Sequence, residues 1–455
     1  MIDPCKKTRT KRLLLLAAVA LMAMLAAGCA SVDPGALRNV AEYQIRKTFP
    51  PVFVWQEGSQ PPAGALRGTV RDAAGNPLPG ALVLVSTVRG ETTTARTDTA
   101  GTYLLANVPA GRVTPMAAAW GYDAVNGPPV RVGPGSEVSG VDFVLPARSP
   151  APVMPTDLRI GGPVQAASDF PEPMVATRIP FTFTQDGVTV DVGQIYLPVQ
   201  QARSETGPSD GANARSENGN PPGATGLGDR PSLPTLFIVY PSRPLNWDAA
   251  SVGLTRDGFT VLAVGPDGDR GLDMEGHIRD MRAAMQLWVD GKLPIDPPGD
   301  NWVLLSGSFG SLIVYPALQD LPVQPPRMVD IGGVSDAFLG VQALYSTDLE
   351  IPPPYDSAVA ALGRPDRDPA FFYQFSPALD AAHLPPTFVV HMLNDPVIPH
   401  NQALALIDAL DAARVPHESL LYEDTTHYLD AYNPTPGTGM VFERVLDYVE
   451  GISLP

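Results

Sequence analysis

Beyond residue 235 the chain alternates short apolar runs with longer stretches in which apolar positions recur every three to four residues. The runs at 236–240, 260–264, 302–306, 328–331, 387–392 and 419–422 are too short for helices and predict strands. Stretches at 273–289, 309–318, 401–413 and 440–449 predict helices. Strands apolar on both faces and separated by helices belong to a largely parallel sheet covered on both sides. Residues 177–183 and 188–196 add two strands around a turn of Gln185, Asp186 and Gly187, an antiparallel hairpin that brings the sheet to eight strands.

The first half has a different texture. Residues 64–145 consist of short Val-, Leu- and Thr-rich runs broken by Gly, Pro, Asn and Asp, which predicts a small all-β unit. Prolines mark a joint at 148–175. The stretch 201–234 has almost no large apolar residues, so it cannot bury enough surface to offset its ordering entropy. It is expected as a disordered insertion between strands. Upstream, a helical patch near 36–47 is followed by Pro50, Pro51, Pro61 and Pro62, which together read as a tether. The expected division is 1–28 leader, 29–62 tether, 63–147 β-sandwich, 148–175 linker and 176–455 α/β domain.

Composition alters this picture at the N-terminus and in the choice of partners. At 455 residues the chain exceeds what one core usually supports, consistent with two folded units. Lys6, Lys7, Arg9, Lys11 and Arg12 precede an apolar run at 13–25 that ends in Ala26, Ala27, Gly28 and Cys29. Small residues directly before a cysteine at the end of such a run resemble bacterial lipoprotein signals, which implies cleavage before Cys29 and lipid attachment there. Cys5 would leave with the leader, so stability would rest on the cores without a disulfide. Ala30, in place of an acidic residue, points to the outer membrane or cell surface, extracytoplasmic in either case. A net charge of −17 disfavours nucleic acid and anionic membrane surfaces as partners.

Gly68, Val70, Asp72, Gly75, Pro77, Leu78, Gly80, Ala81 and Val83, with Thr97, Asp98, Gly101, Tyr103, Leu105, Val108, Pro109, Ala110 and Gly111, resemble the carboxypeptidase regulatory-like domain. That resemblance implies a transthyretin-like β-sandwich in a non-catalytic role. A glycan or envelope contact through this unit is the functional alternative.

The chemistry concentrates at three places. Ser308 lies between the predicted strand 302–306 and the predicted helix 309–318, flanked two residues away by Ser306 and Gly310. This matches the nucleophile elbow Gly-x-Ser-x-Gly with serine for the first glycine. Small residues are needed there because the turn brings the helix close to the strand. Pro316 should shorten or kink that helix. A plain strand-to-helix turn is the bland alternative.

Directly after the strand 387–392 come Leu393, Asn394, Asp395, Pro396, Val397, Ile398 and Pro399. An aspartate so placed resembles the acid loop of the dienelactone hydrolase and prolyl oligopeptidase families, although Asp-Pro is also a common turn. Asp336 is the runner-up acid. Of the six histidines, only His427 falls between the last strand and the last helix, where the family places its base. The resemblance therefore implies an α/β-hydrolase with Ser308, Asp395 and His427 as catalytic triad.

Oxyanion donors are expected from the Phe309 N–H and from the loop after 236–240. Pro241 has no N–H, which leaves the Ser242 N–H or the Tyr240 hydroxyl; Tyr240 looks like the donating tyrosine of prolyl oligopeptidase-like enzymes. No cofactor is implied, and no His or Cys spacing suits a metal. Prolyl oligopeptidases carry a large propeller that restricts entry to peptides, whereas only the small sandwich precedes this domain. An open site favours a small-molecule ester over a peptide as acyl substrate. The segment 336–386 is expected to cap the site. The rival readings are a serine peptidase and a non-catalytic surface lipoprotein.

Overall fold

The computed structural model describes residues 34–48, 63–168, 173–198, 233–345, 355–423, 427 and 436–451. The predicted leader, Cys29 and nearly all of the predicted insertion 201–234 lie outside these residues. Among the described residues no helix is long and apolar enough to cross a membrane.

The chain begins with helix α1 (Pro34–Thr48). Ten short strands follow: β1 (Ala63–Asp72), β2 (Leu82–Ser86), β3 (Thr92–Arg96), β4 (Thr102–Pro109), β5 (Gly111–Val113), β6 (Met116–Ala118), β7 (Val125–Asn126), β8 (Val130–Val132), β9 (Glu137–Ser139) and β10 (Phe143–Leu145). One sheet sets β1 between β10 and β4; the other runs β3-β2-β6-β7. Alternating side chains of both sheets, among them Leu66, Val70, Val83, Val85, Tyr103 and Leu105, meet in one core. The turn expected at 74–76 forms because the Asp72 carboxylate accepts the Ala74 and Asn76 N–H groups.

The second unit is a sheet of ten strands: β11 (Thr156–Ile160), β12 (Val164–Ser168), β13 (Met174–Gln185), β14 (Val188–Pro198), β15 (Thr235–Val239), β16 (Thr260–Val264), β17 (Trp302–Gly307), β18 (Met328–Ile331), β19 (Thr387–Met392) and β20 (His417–Tyr422). Eight of them run in the order β13-β14-β16-β15-β17-β18-β19-β20, parallel from β16 to β20. The expected count of eight is exceeded because β11 and β12 pair antiparallel with the outer edge of β13. This corrects the linker expected at 148–175. Backbone pairing at a solvent-facing edge needs little apolar patterning, and β11 is nearly all exposed.

Helices α2 (Asp248–Arg256), α3 (Met274–Val289), α4 (Phe309–Ala317), α5 (Ala337–Tyr345), α6 (Tyr355–Ala361), α7 (Pro369–Tyr373), α8 (Asn401–Ala413) and α9 (Pro436–Glu450) complete the unit. One face of the sheet packs on α3, α4 and α8 around Phe237, Trp288 and Trp302. The other packs on α2 and α9 around Phe259, Phe388 and Tyr448. Each such side chain contributes roughly 1.5–3 kcal/mol by leaving water, so the central strands are held from both sides.

The two units are joined by a shared core. The outer face of β2 and β6 presents Leu84, Met116 and Ala118 to Phe338, Val341 and Phe372 of α5 and α7. Arg148, in the expected linker, makes a bidentate pair with Asp320 at 2.7 and 2.6 Å. The tether expected at 29–62 is corrected in part, because α1 docks on α6. There the Tyr43 hydroxyl donates to Asp356 and the Asn39 amide to the Ala361 carbonyl. The described part of 336–386, expected as a cap, is thus engaged by the sandwich and α1.

Candidate active site

Strand β17 ends in Ser306 and Gly307, and Ser308 turns the chain into α4 with φ 49° and ψ −127°. L-residues rarely adopt this conformation, which costs about 1–3 kcal/mol and persists only where the surroundings impose it. The glycines on either side show what imposes it. A Cβ at Gly307 would lie 2.2 Å from the Ile331 carbonyl oxygen, and one at Gly310 would lie 2.2 Å from that of Val239. The turn is pressed by the end of β18 at Gly307 and by the end of β15 at Gly310, so it has no room to relax. The Ser308 N–H donates to the Gly332 carbonyl at 3.2 Å, tying the turn to the end of β18. As expected from Pro316, α4 is short, and a 3₁₀ turn takes over at Leu318.

Asp395 follows β19 after a two-residue turn. Its Oδ1 accepts the N–H groups of Val397 and Ile398 at 2.8 and 2.9 Å, which fixes the carboxylate plane. Its Oδ2 lies 2.7 Å from His427 Nδ1. The opposite ring nitrogen, Nε2, lies 2.8 Å from Ser308 Oγ. A carboxylate only accepts, so Nδ1 carries the proton and Nε2 is left to accept from the serine hydroxyl. All three groups are shielded: the Asp395 side chain is fully buried, and Ser308 and His427 are each 7% exposed. In so dry a setting each hydrogen bond is stronger than in water.

The structure therefore brings Ser308, His427 and Asp395 into one hydrogen-bonded row. Asp336, the runner-up acid, sits elsewhere: its carboxylate caps α5 through the Phe338 and Leu339 N–H groups. Burial raises its pKa. A second histidine, not singled out in the sequence, also belongs to the site. His391 is buried with Nε2 2.9 Å from the Ile398 carbonyl and 3.7 Å from Asp395 Oδ2, and burial lowers its pKa. Neutral, it donates to that carbonyl and braces the loop that carries Asp395. Its place in β19, four residues before Asp395, was the available signal.

The oxyanion candidates divide. Phe309 is the first residue of α4, so its N–H has no acceptor within the helix. Tyr240 does not offer its hydroxyl to this site, which corrects the expectation. That hydroxyl is bonded to Ser251 Oγ at 2.9 Å in the core, and the ring stacks on Trp247. The strand alternation that turns Val239 towards α4 turns Tyr240 to the opposite face. The loop itself is close, since a Cβ at Gly310 would also approach the Tyr240 carbonyl carbon at 3.5 Å. The Ser242 hydroxyl accepts from Asn246 and Trp247 and holds this loop folded, leaving the Ser242 N–H as the second candidate donor.

Residues 65–146 match the carboxypeptidase regulatory-like domain, and residues 278–452 match the prolyl oligopeptidase family. A search of curated protein sequences finds no match to this chain. Among solved structures, the chain is similar to carboxyl esterase 2 from the mycorrhizal fungus Tuber melanosporum, at 16% identity and TM-score 0.41, covering 64% of this chain and 85% of the other. It is also similar to esterase B from Lactobacillus rhamnosis, at 15% identity and TM-score 0.41, covering 57% and 80%. A Pyrococcus horikoshii acylaminoacyl peptidase is similar at 11% identity and TM-score 0.44, covering 84% and 63%. The chain carries a carboxypeptidase regulatory-like domain followed by an α/β-hydrolase domain of the prolyl oligopeptidase family, and it is a serine hydrolase.

Proposed function

We propose that this serine hydrolase cleaves a carboxylic ester through an acyl-enzyme on Ser308, and that it does so outside the cytoplasm while anchored by lipid at Cys29. The observation that carries the catalytic reading is the row Asp395 Oδ2, His427, Ser308 Oγ, with contacts of 2.7 and 2.8 Å. Ser308 Oγ attacks the carbonyl carbon as its proton passes to His427 Nε2, and Asp395 stabilises the imidazolium so formed. The oxyanion is met by the Phe309 N–H and the Ser242 N–H. Collapse expels the alcohol, which takes the proton from Nε2. Water then attacks the acyl carbon, gives its proton to His427 and releases the acid with Ser308 regenerated.

Ester is ranked above peptide because the domain that precedes the hydrolase is a small sandwich docked on α5 and α7. Export and anchoring rest on the basic run, the apolar run 13–25 and Cys29. Fluorophosphonate labelling of the wild type, beside Ser308→Ala and His427→Ala, tests the chemistry. A wild type that does not label would leave a binding or structural lipoprotein as the reading. Rates on p-nitrophenyl esters against peptide anilides decide the bond class. Palmitate incorporation, lost in Cys29→Ser, tests the anchor.

A further inference from the structure

Position 306 is where the elbow motif has glycine. The serine there projects on the same face of the sheet as the side chain of its partner on the next strand. Ser306 is the register partner of Asp330 across β17 and β18, and its Oγ–H donates to Asp330 Oδ1 at 3.4 Å. Both residues are buried, 5% and 2% exposed. The chain beyond β18 folds tightly over the carboxyl group: a Cβ at Gly333 would lie 2.2 and 2.3 Å from its two oxygens.

The groups facing Asp330 from the neighbouring elements offer no counter-charge. From α4 comes Tyr315, whose buried hydroxyl faces the Asp330 carboxyl and pulls its pKa down without bringing a charge. On β19 the register partner is Val389, and His391, two residues on, spends Nε2 on the Ile398 carbonyl beside Asp395. Asp336, past the Gly333 turn, spends its carboxylate on the start of α5. Among the described residues no Lys or Arg is ion-paired with Asp330.

We infer that Asp330 and Ser306 are a positioning pair for the nucleophile, in which the Asp330 carboxyl held against Ser306 keeps the β17–β18 junction closed beneath Ser308. The inference rests on Ser308 being the nucleophile. The junction bears directly on the serine, because the Ser308 N–H hangs on the Gly332 carbonyl, two residues past Asp330. Burial pushes Asp330 up to about 7, against smaller downward pulls from Tyr315 and Ser306. A charge formed there, without a cation, is stabilised only by admitting water or parting the strands. Either change alters the turn that presents Oγ to His427.

The test is the fluorophosphonate labelling rate from about pH 6 to about pH 8.5 in wild type, Asp330→Asn and Ser306→Gly. The wild-type rate is expected to fall at least about fivefold above pH 7 as Asp330 loses its proton. Asp330→Asn should lack this alkaline fall. Ser306→Gly removes a hydrogen bond that favours the charged form, so its fall should move to higher pH, and it carries the test alone where Asp330→Asn does not fold. Matching profiles in all three would overturn the inference.

A second readout separates this failure from failure of the enzyme reading. The native state holds the Asp330 proton to a higher pH than the unfolded chain does, so wild-type stability relative to Asp330→Asn should decline from about pH 4 to about pH 7. Should nothing label at any pH, that decline still reports whether Asp330 keeps its proton. Parallel stability curves would overturn the inference independently.

Discussion

Asp395 and His427 are 32 residues apart in sequence, yet Asp395 Oδ2 and His427 Nδ1 approach to 2.7 Å across the ends of β19 and β20. The carboxylate is fixed from behind by two backbone N–H groups, so it selects the ring tautomer. Asp395→Asn would keep the shape but present a donor to Nδ1, forcing the proton to Nε2 where the serine needs an acceptor. Ester turnover is expected to fall by about 10⁴-fold with KM little changed. Steady-state kinetics on a p-nitrophenyl ester checks this, and a loss below tenfold would remove Asp395 from the mechanism.

The backbone at Ser308 gives a prediction about stability. Ser308→Ala and Ser308→Gly both delete the hydroxyl and its contact with His427. Only glycine is at ease at φ 49° and ψ −127°. Ser308→Gly is therefore expected to be more stable than Ser308→Ala by about 1 kcal/mol, with both inactive. Urea denaturation of the pair measures the difference, and an alanine variant at least as stable would show that the turn is unstrained.

How much of this was legible depended on how much apolar contrast each element carries. Strands β16, β18 and β19 coincide with their predicted ranges because their neighbours on both faces are apolar. Ser308, Asp395 and His427 could be singled out because each follows a strand with a strong signal. Helix α2 went unseen: Ala249, Ser251, Gly253 and Thr255 are buried through smallness, which leaves little periodic contrast. Strands β11 and β12 were hidden because an edge is held by backbone hydrogen bonds that any sequence can make. Tyr240 was misdirected for a third reason. Its place at a strand end was readable, but which face of the sheet it takes depends on the register of β15 against β17.

The shared core between sandwich and hydrolase predicts that the two do not behave as beads on a string. Leu84 and Met116 point away from the sandwich interior and into α5 and α7. Leu84→Ala should cost about 2–5 kcal/mol, as for other buried large-to-small changes. The loss should appear as lower resistance of the α5–α7 segment to limited proteolysis. Cleavage confined to the sandwich would mean that the interface contributes nothing to the hydrolase.

His391 supplies a prediction in pH. Burial lowers its pKa below the ordinary 6.5, outweighing the upward pulls of the Ile398 carbonyl and Asp395, while His427 and His400 add to the lowering. The folded protein thus binds fewer protons at this site than the unfolded chain once the pH drops below about 6.5. Stability from this group is in full force above that value and is lost as the pH falls through the lowered native pKa. Protonation would also leave a second donor, Nδ1–H, in the buried space behind the Asp395 loop. Replacing His391 with Gln keeps an N–H that can reach the Ile398 carbonyl but cannot titrate. Chemical denaturation between about pH 5 and about pH 7.5 should show a steeper acid-side loss in wild type than in His391→Gln. Equal slopes would mean that His391 is not protonated on unfolding in this range, and that the acid sensitivity of the fold lies elsewhere.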